Sequence, residues 1–308
     1  MSTAEQPEVA PTPTDYQGPT QKHPRQLANR LFPWVTGSAI FISLGVLVTL
    51  IVRMITQGAP RFNLNMLRWM PSSLPEEAGF QSAFFGTVWI VGITGIICIP
   101  LGVATAVYLE EFADNERWYN RLIELNIQNL AAVPSIVYGI LGLAFLVRGV
   151  GLGPTVLAAA LTLTLLVLPT VIIAAREAIR AVPNSLRQAS LGLGATDLQT
   201  VRKVVLPAAV PGIATGAILA LSRAIGEAAP LLLVGGVTFI SFNPHEGGIS
   251  KVLGSEFAVM PLQIFNWIGR PQEEFRVLAA AAILVLLLVL IAMNSVAIWI
   301  RNRYQQRL

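Results

Sequence analysis

Two charged residues stand in an otherwise apolar stretch, at the spacing of one helix face. Arg223 and Glu227 lie four apart in AAVPGIATGAILALSRAIGEAAPLLLVGG, residues 208–236, and residues at i and i+4 are neighbours on a helix surface. Counted from Ala208 at about 1.5 Å per residue, Arg223 stands roughly 20 Å along such a helix. If the helix crosses a membrane, a charge there costs about 2.5–3.5 kcal/mol or more on insertion scales. Arg before Glu is the weaker order for a helical ion pair, so local helix stability explains the pair poorly. A self-neutralising pair inside a helix bundle is the structural explanation. A role on a translocation path is the functional one, and it makes Arg223 and Glu227 the candidate substrate-path residues. Gly212, Gly216, Ala220, Ala224 and Ala228 recur every four residues on the same segment, a stripe that lets helices approach closely in lipid.

Other chemistry finds little support. His23 and His245 are far apart in sequence and lack metal-ligand spacing, so no metal site is expected. Cys98, the single cysteine, lies in an apolar run and reads as a small core residue. None of the three lysines, Lys22, Lys203 and Lys251, follows glycine as a P-loop requires, so the chain has no nucleotide cradle of that kind.

A second stretch is polar yet keeps helical rhythm: PNSLRQASLGLGATDLQTVRKVVLP, residues 183–207. Leu186, Ala189 and Leu193 form one apolar face. Gly194 can end that helix in the left-handed conformation. Thr196 and Gln199 have the spacing of a capping box and start a second helix, with Leu198, Val201 and Val205 on its face. Pro207 is expected to close the stretch, leaving two short helices with a sharp elbow.

These two stretches have to be positioned by membrane-spanning helices. Of the 308 residues, 54% are hydrophobic and 12% charged, about half the charge of an ordinary soluble domain, and the mean hydropathy is +0.64. Residues 1–30, with Pro7, Pro11, Pro13, Pro19 and Pro24, are expected to be a disordered tail, and residues 31–308 the transmembrane part. Six apolar runs, near 34–56, 81–110, 122–147, 154–181, 208–240 and 275–300, approach or exceed the roughly 20 residues a helical crossing takes. The expected fold class is therefore all-α and polytopic. Lys22, Arg25 and Arg30, then Arg176, Arg180, Arg187, Arg202 and Lys203, then Arg301, Arg303 and Arg307 fall on one side of a six-span chain. That side is expected to be the cytoplasm, with both termini and residues 183–207 in it. The acid-rich segment Glu110–Arg121 falls there too, and acids count little in this rule. The outer segments 57–80 and 241–274 are too small for an independent solute-binding domain; Pro244, Gly247 and Gly248 mark turns in the second, and Phe265 and Trp267 are expected in an interfacial aromatic belt.

Two motifs carry a family resemblance. The spacing of Gln188-Ala189-Ser190, then Gly194, then Val204-Val205-Leu206-Pro207 resembles the EAA loop of ABC-importer permeases, with Gln188 in place of the acid and Val204 in place of isoleucine. Arg223-Ala224-Ile225-Gly226-Glu227-Ala228-Ala229-Pro230-Leu231-Leu232 resembles a segment of phosphate importers, with Ala228 in place of threonine. Asn129-Leu130 with residues 133–139, Pro100-Leu101-Gly102 with residues 108–111, and Met260-Pro261-Leu262-Gln263-Ile264 with Asn266-Trp267 extend the likeness over about 80–305 and are similar to the PstA-type permeases among them.

The resemblance implies a type I ABC-importer permease fold. It also implies a complex with a PstC-like permease, a PstB-like ATPase dimer that holds ATP and Mg, and an external phosphate-binding protein, in a bacterial inner membrane and without nucleic acid. It makes residues 183–207 the coupling loop to the ATPase, with Leu186, Arg187, Gln188, Ala189, Ser190, Gly194, Ala195, Thr196, Asp197 and Pro207 as its candidate residues. Molybdate or sulfate remains an alternative substrate, since arginine alone does not choose among oxyanions. An intramembrane enzyme acting on lipid phosphate is the alternative of another class, and the spans hold no second acidic cluster or histidine for it.

Overall fold

The computed structural model describes residues 25–114, 116–237, 240 and 248–305. Among them there is no strand, and the helices run α1 (Arg25–Gly58), α2 (Leu64–Arg68), α3 (Gln81–Val107), α4 (Trp118–Ala131), α5 (Ser135–Leu141), α6 (Val156–Arg180), α7 (Asn184–Gly192), α8 (Asp197–Thr200), α9 (Leu206–Gly226), α10 (Ala229–Val234), α11 (Ile249–Leu253), α12 (Met260–Ile268) and α13 (Glu273–Gln305). The chain divides into two units, residues 1–53 and 54–308. The described part of the first is a single helix, most of α1, apolar from Leu31 onward. Of the expected tail, residues 1–24 lie outside the described residues, and 25–30 belong to α1.

Among the described residues, five helical stretches are long and apolar enough to cross a membrane: Leu31–Arg61, Gln81–Phe112, Val156–Arg180, Asp197–Gly226 and Glu273–Arg303. The remaining expected span, near 122–147, is a pair of helices bent by 105° between Trp118–Ala131 and Ser135–Gly149. Pro134 accounts for the bend, because the residue before a proline is pushed out of the helical region. The Tyr138 hydroxyl donates to the Leu130 carbonyl at 2.8 Å, which satisfies one acceptor at the broken end.

The α6 helix is the axis of the second unit. Val156, Ala158, Ala159, Ala160 and Leu163 are fully buried, and α3 and α9 both pack against it. The stripe on α9 does what small residues do in lipid. A Cβ at Gly212 would lie 2.7 Å from that of Ala178, and one at Gly216 would run into Ala174. A hydroxyl also crosses between spans, from Thr94 to the Ala160 carbonyl at 3.1 Å.

At the end of the bundle away from residues 183–207, the connecting segments form a cap with its own core: Met66, Phe80, Met260, Trp267 and Phe275 are all buried. Trp267 is not a belt residue. It is fully buried, edge-on to Phe80 with 6.0 Å between ring centroids, whereas Phe265 is exposed. The Met260 amide donates to the Thr87 hydroxyl at 2.9 Å, tying the cap to α3. Gly248 has φ +85°, as a turn glycine does, while Pro244 and Gly247 lie outside the described residues.

Candidate functional site

The elbow forms from the residues that foretold it. Gly194 has φ +83°, and its amide donates to the Leu191 carbonyl at 2.9 Å while that of Ala195 donates to Ser190 at 3.2 Å. This pair of bonds is the Schellman closure of α7. Two residues on, the Gln199 amide donates to the Thr196 hydroxyl at 3.3 Å and the Thr196 amide to the Gln199 side chain at 3.1 Å, a complete capping box. A 2.9 Å hydrogen bond between the Ser190 and Thr200 hydroxyls joins the two arms.

Pro207 does not close the stretch. A π-helical turn, Val201–Val205, carries α8 into α9, so Asp197–Gly226 is one helical run. The turn is closed by the amide of Leu206, and the next residue, Pro207, has no amide hydrogen to donate. Of the second arm's face, Val201 and Val205 are buried, but Leu198 is 65% exposed. No residue of α7 is buried. Leu186, Leu191 and Leu193 are exposed, as are Gln188 and Ala189, so the elbow presents an apolar, unpaired surface.

Arg187 behaves differently. It is turned inward, onto Glu111 at 2.7 Å, with side chains 17% and 11% exposed. Its neighbours extend the pattern. Arg180 meets Glu110 at 2.9 Å, and Arg176 meets Glu110 at 3.3 Å and Glu124 at 3.0 Å. The acid-rich segment that sat oddly in the charge distribution thus supplies counter-charges for the basic residues of α6 and α7. Glu110, Glu111, Glu124, Arg176 and Arg180 were not singled out as site residues from sequence. The signal available was two charge blocks of opposite sign expected on the same side.

The α9 helix stops at Gly226, and Glu227 is extended, with φ −80° and ψ 108°. The apolar run at 208–240 is therefore broken where sequence suggested continuity. Pro230, the second residue of α10, explains it: its ring would clash with the Gly226 carbonyl four residues back and gives it no donor. Arg223 lies in the last turn of α9, where a cation suits the helix dipole, and its Nε donates to Glu227 Oε1 at 3.3 Å. Arg223 is 59% exposed and Glu227 17%. The pair exists, but its cation is open on the surface of this chain rather than enclosed within its bundle. The guanidinium's terminal nitrogens have no partner among the described residues.

The family model of binding-protein-dependent transport system inner membrane components matches residues 98–308. The chain belongs to that family. It is 34% identical to the probable ABC transporter permease protein YqgI of Bacillus subtilis (strain 168), over 82% of each chain. It is also 34% identical to the phosphate transport system permease protein PstA 1 of Mycobacterium tuberculosis (strain CDC 1551 / Oshkosh), over 74% of this chain and 73% of that one. In fold it resembles a chain of the bacterial alginate ABC transporter crystallised with its alginate pentasaccharide-bound periplasmic protein, with a TM-score of 0.58, 14% identity, and coverage of 90% of this chain and 95% of that one. The family is one of transport components, so the intramembrane-enzyme alternative falls, and the helices described above are those of a multi-pass membrane permease.

Proposed function

We propose that this chain is the PstA-type permease subunit of an ATP-driven importer of inorganic phosphate. The observation that carries the reading is the break at Gly226–Ala228 beside an open guanidinium, in a chain related to phosphate permeases. Non-helical backbone at membrane depth is tolerated only where protein buries it or water reaches it, and broken helices with exposed polar groups mark substrate sites in transporters. Glu227 holds Nε and leaves the planar end of Arg223 free, the end that can pair with two oxygens of an oxyanion. Glu227 also offsets the charge, so an anion is held briefly rather than trapped.

A single chain leaves this site open on one side, and a PstC-like permease is the partner that would close it. A PstB-like ATPase dimer, binding ATP and Mg, would receive the exposed leucines of the elbow, with a phosphate-binding protein docking on the opposite cap. The Lys/Arg distribution supports an orientation with both termini and residues 183–207 in the cytoplasm. Residues 31–308 are then the permease domain, in the bacterial inner membrane.

The test is co-purification with untagged partners, followed by ATP hydrolysis in liposomes. Hydrolysis should rise with phosphate-loaded binding protein and not with molybdate or sulfate. Stimulation by either of those instead would replace phosphate as the substrate, and absence of an ATPase subunit from the purified complex would remove the coupling role.

A further inference from the structure

A guanidinium carries five N–H donors, and in Arg187 all five are engaged. Nε and Nη2 donate to Glu111 Oε1 at 3.2 and 2.7 Å. Nη2 also donates to the Ile179 carbonyl at 2.9 Å, and Nη1 to the Val182 carbonyl at 2.6 Å and to Asn184 Oδ1 at 3.1 Å. Ile179 lies in the last turn of α6, whose final carbonyls lack intrahelical donors, and Val182 lies in the connection just beyond it. Asn184 opens α7, and Glu111 lies in the π-helical turn Tyr108–Phe112 that ends the α3 span. One side chain therefore bonds three elements, and no donor is left for another chain.

The chain's connectivity gives this a purpose. The α7 helix is joined covalently to α6 through residues 181–183 and to α9 through the elbow. The α3 helix has no such link to it. We infer that Arg187 and Glu111 are positioning residues that clasp the coupling helix to the end of α3, so that a displacement delivered to the elbow moves α3 and α6 with it. The inference rests on the coupling role proposed above. It moves Arg187 from the ATPase-facing surface to the inside of the mechanism and adds Glu111.

The experiment uses the whole complex with its ATPase and binding protein, in liposomes and in a Cys98→Ala background. Arg187→Gln and Glu111→Gln should each retain the ATPase subunits and basal hydrolysis while losing stimulation by phosphate-loaded binding protein. The double variant Glu111→Cys with Arg187→Cys should be equally unresponsive, and a short bifunctional methanethiosulfonate joining the two thiols should restore the response. Charge lost with the connection replaced is a readout that simple fold maintenance would not produce. Normal stimulation in either glutamine variant overturns the inference. So does loss of the ATPase subunits from Arg187→Gln alone, which would make Arg187 a docking residue. Should both glutamine variants assemble poorly, the cysteine pair decides: a tethered complex that assembles and responds supports the clasp, and one that assembles without responding overturns it. A wild-type complex indifferent to phosphate would count against the substrate reading alone.

Discussion

Gly194 offers a perturbation whose size follows from geometry. Its φ of +83° is left-handed, and a Cβ added there would meet nothing within 4 Å, so any substitution acts through the backbone alone. An ordinary L-residue in this region costs about 1–2 kcal/mol. The elbow is held by the two bonds of its Schellman closure and by the Ser190–Thr200 hydrogen bond, at roughly 1 kcal/mol net each. Gly194→Ala should consume about half of that margin and shift the elbow equilibrium by roughly 5–30-fold. Gly194→Val should consume most of it, since β-branched residues are true outliers at positive φ. Gly194→Asn should be nearly silent, because asparagine tolerates this conformation. The assay is titration of the reconstituted permease with its ATPase subunit, read as bound ATPase and as phosphate uptake. Both should follow the order glycine, asparagine, alanine, valine. Wild-type ATPase affinity and uptake in Gly194→Val would refute the reasoning, because the strain would then have no consequence for coupling.

Other substitutions probe the remaining elements. Arg223→Gln should abolish phosphate uptake and Arg223→Lys should impair it strongly, since a compact ammonium does not reproduce the guanidinium fork; both complexes should assemble. The double change Arg223→Gln with Glu227→Gln should assemble without transporting, and uptake at the wild-type rate would remove Arg223 from the path. Cysteines at Ser185 and Ser250, in a Cys98→Ala background, should react with a membrane-impermeant thiol reagent from opposite sides, and equal labelling of both from outside would overturn the proposed topology. Gly216→Val should separate α9 from α6, costing about 1–3 kcal/mol as overpacking and lowering the thermal midpoint of the detergent-solubilised protein. An unchanged midpoint would mean the two helices part without cost.

Local signals were legible wherever neighbours in sequence decide the geometry. The capping box at Thr196 and Gln199, the left-handed Gly194 and the stripe on α9 each depend on residues within a few positions. Pro230 was also in view, but a proline in an apolar span is compatible with a tolerated kink or a full break, and only the extended backbone of Glu227 distinguishes them. The pairings of Glu110 and Glu111 with Arg176, Arg180 and Arg187 join residues 66 to 76 apart. No periodicity connects such distances, so the charge blocks were visible while their partners were not. Trp267 was misjudged for a related reason. An aromatic residue near a span end suits an interface, and its burial depends on Phe80, far earlier in the chain.

The π-helical turn at Val201–Val205, closed by the Leu206 amide on the Val201 carbonyl, sets an angle as well as a path. Such a turn amounts to one residue inserted into a continuous helix. Each residue of an α-helix advances the azimuth by about 100°. The turn therefore acts as a vernier between the elbow and Arg223. With one residue fewer, the same sequence would remain helical from Asp197 to Gly226, yet the guanidinium would face a different quarter of the bundle from the one it faces now.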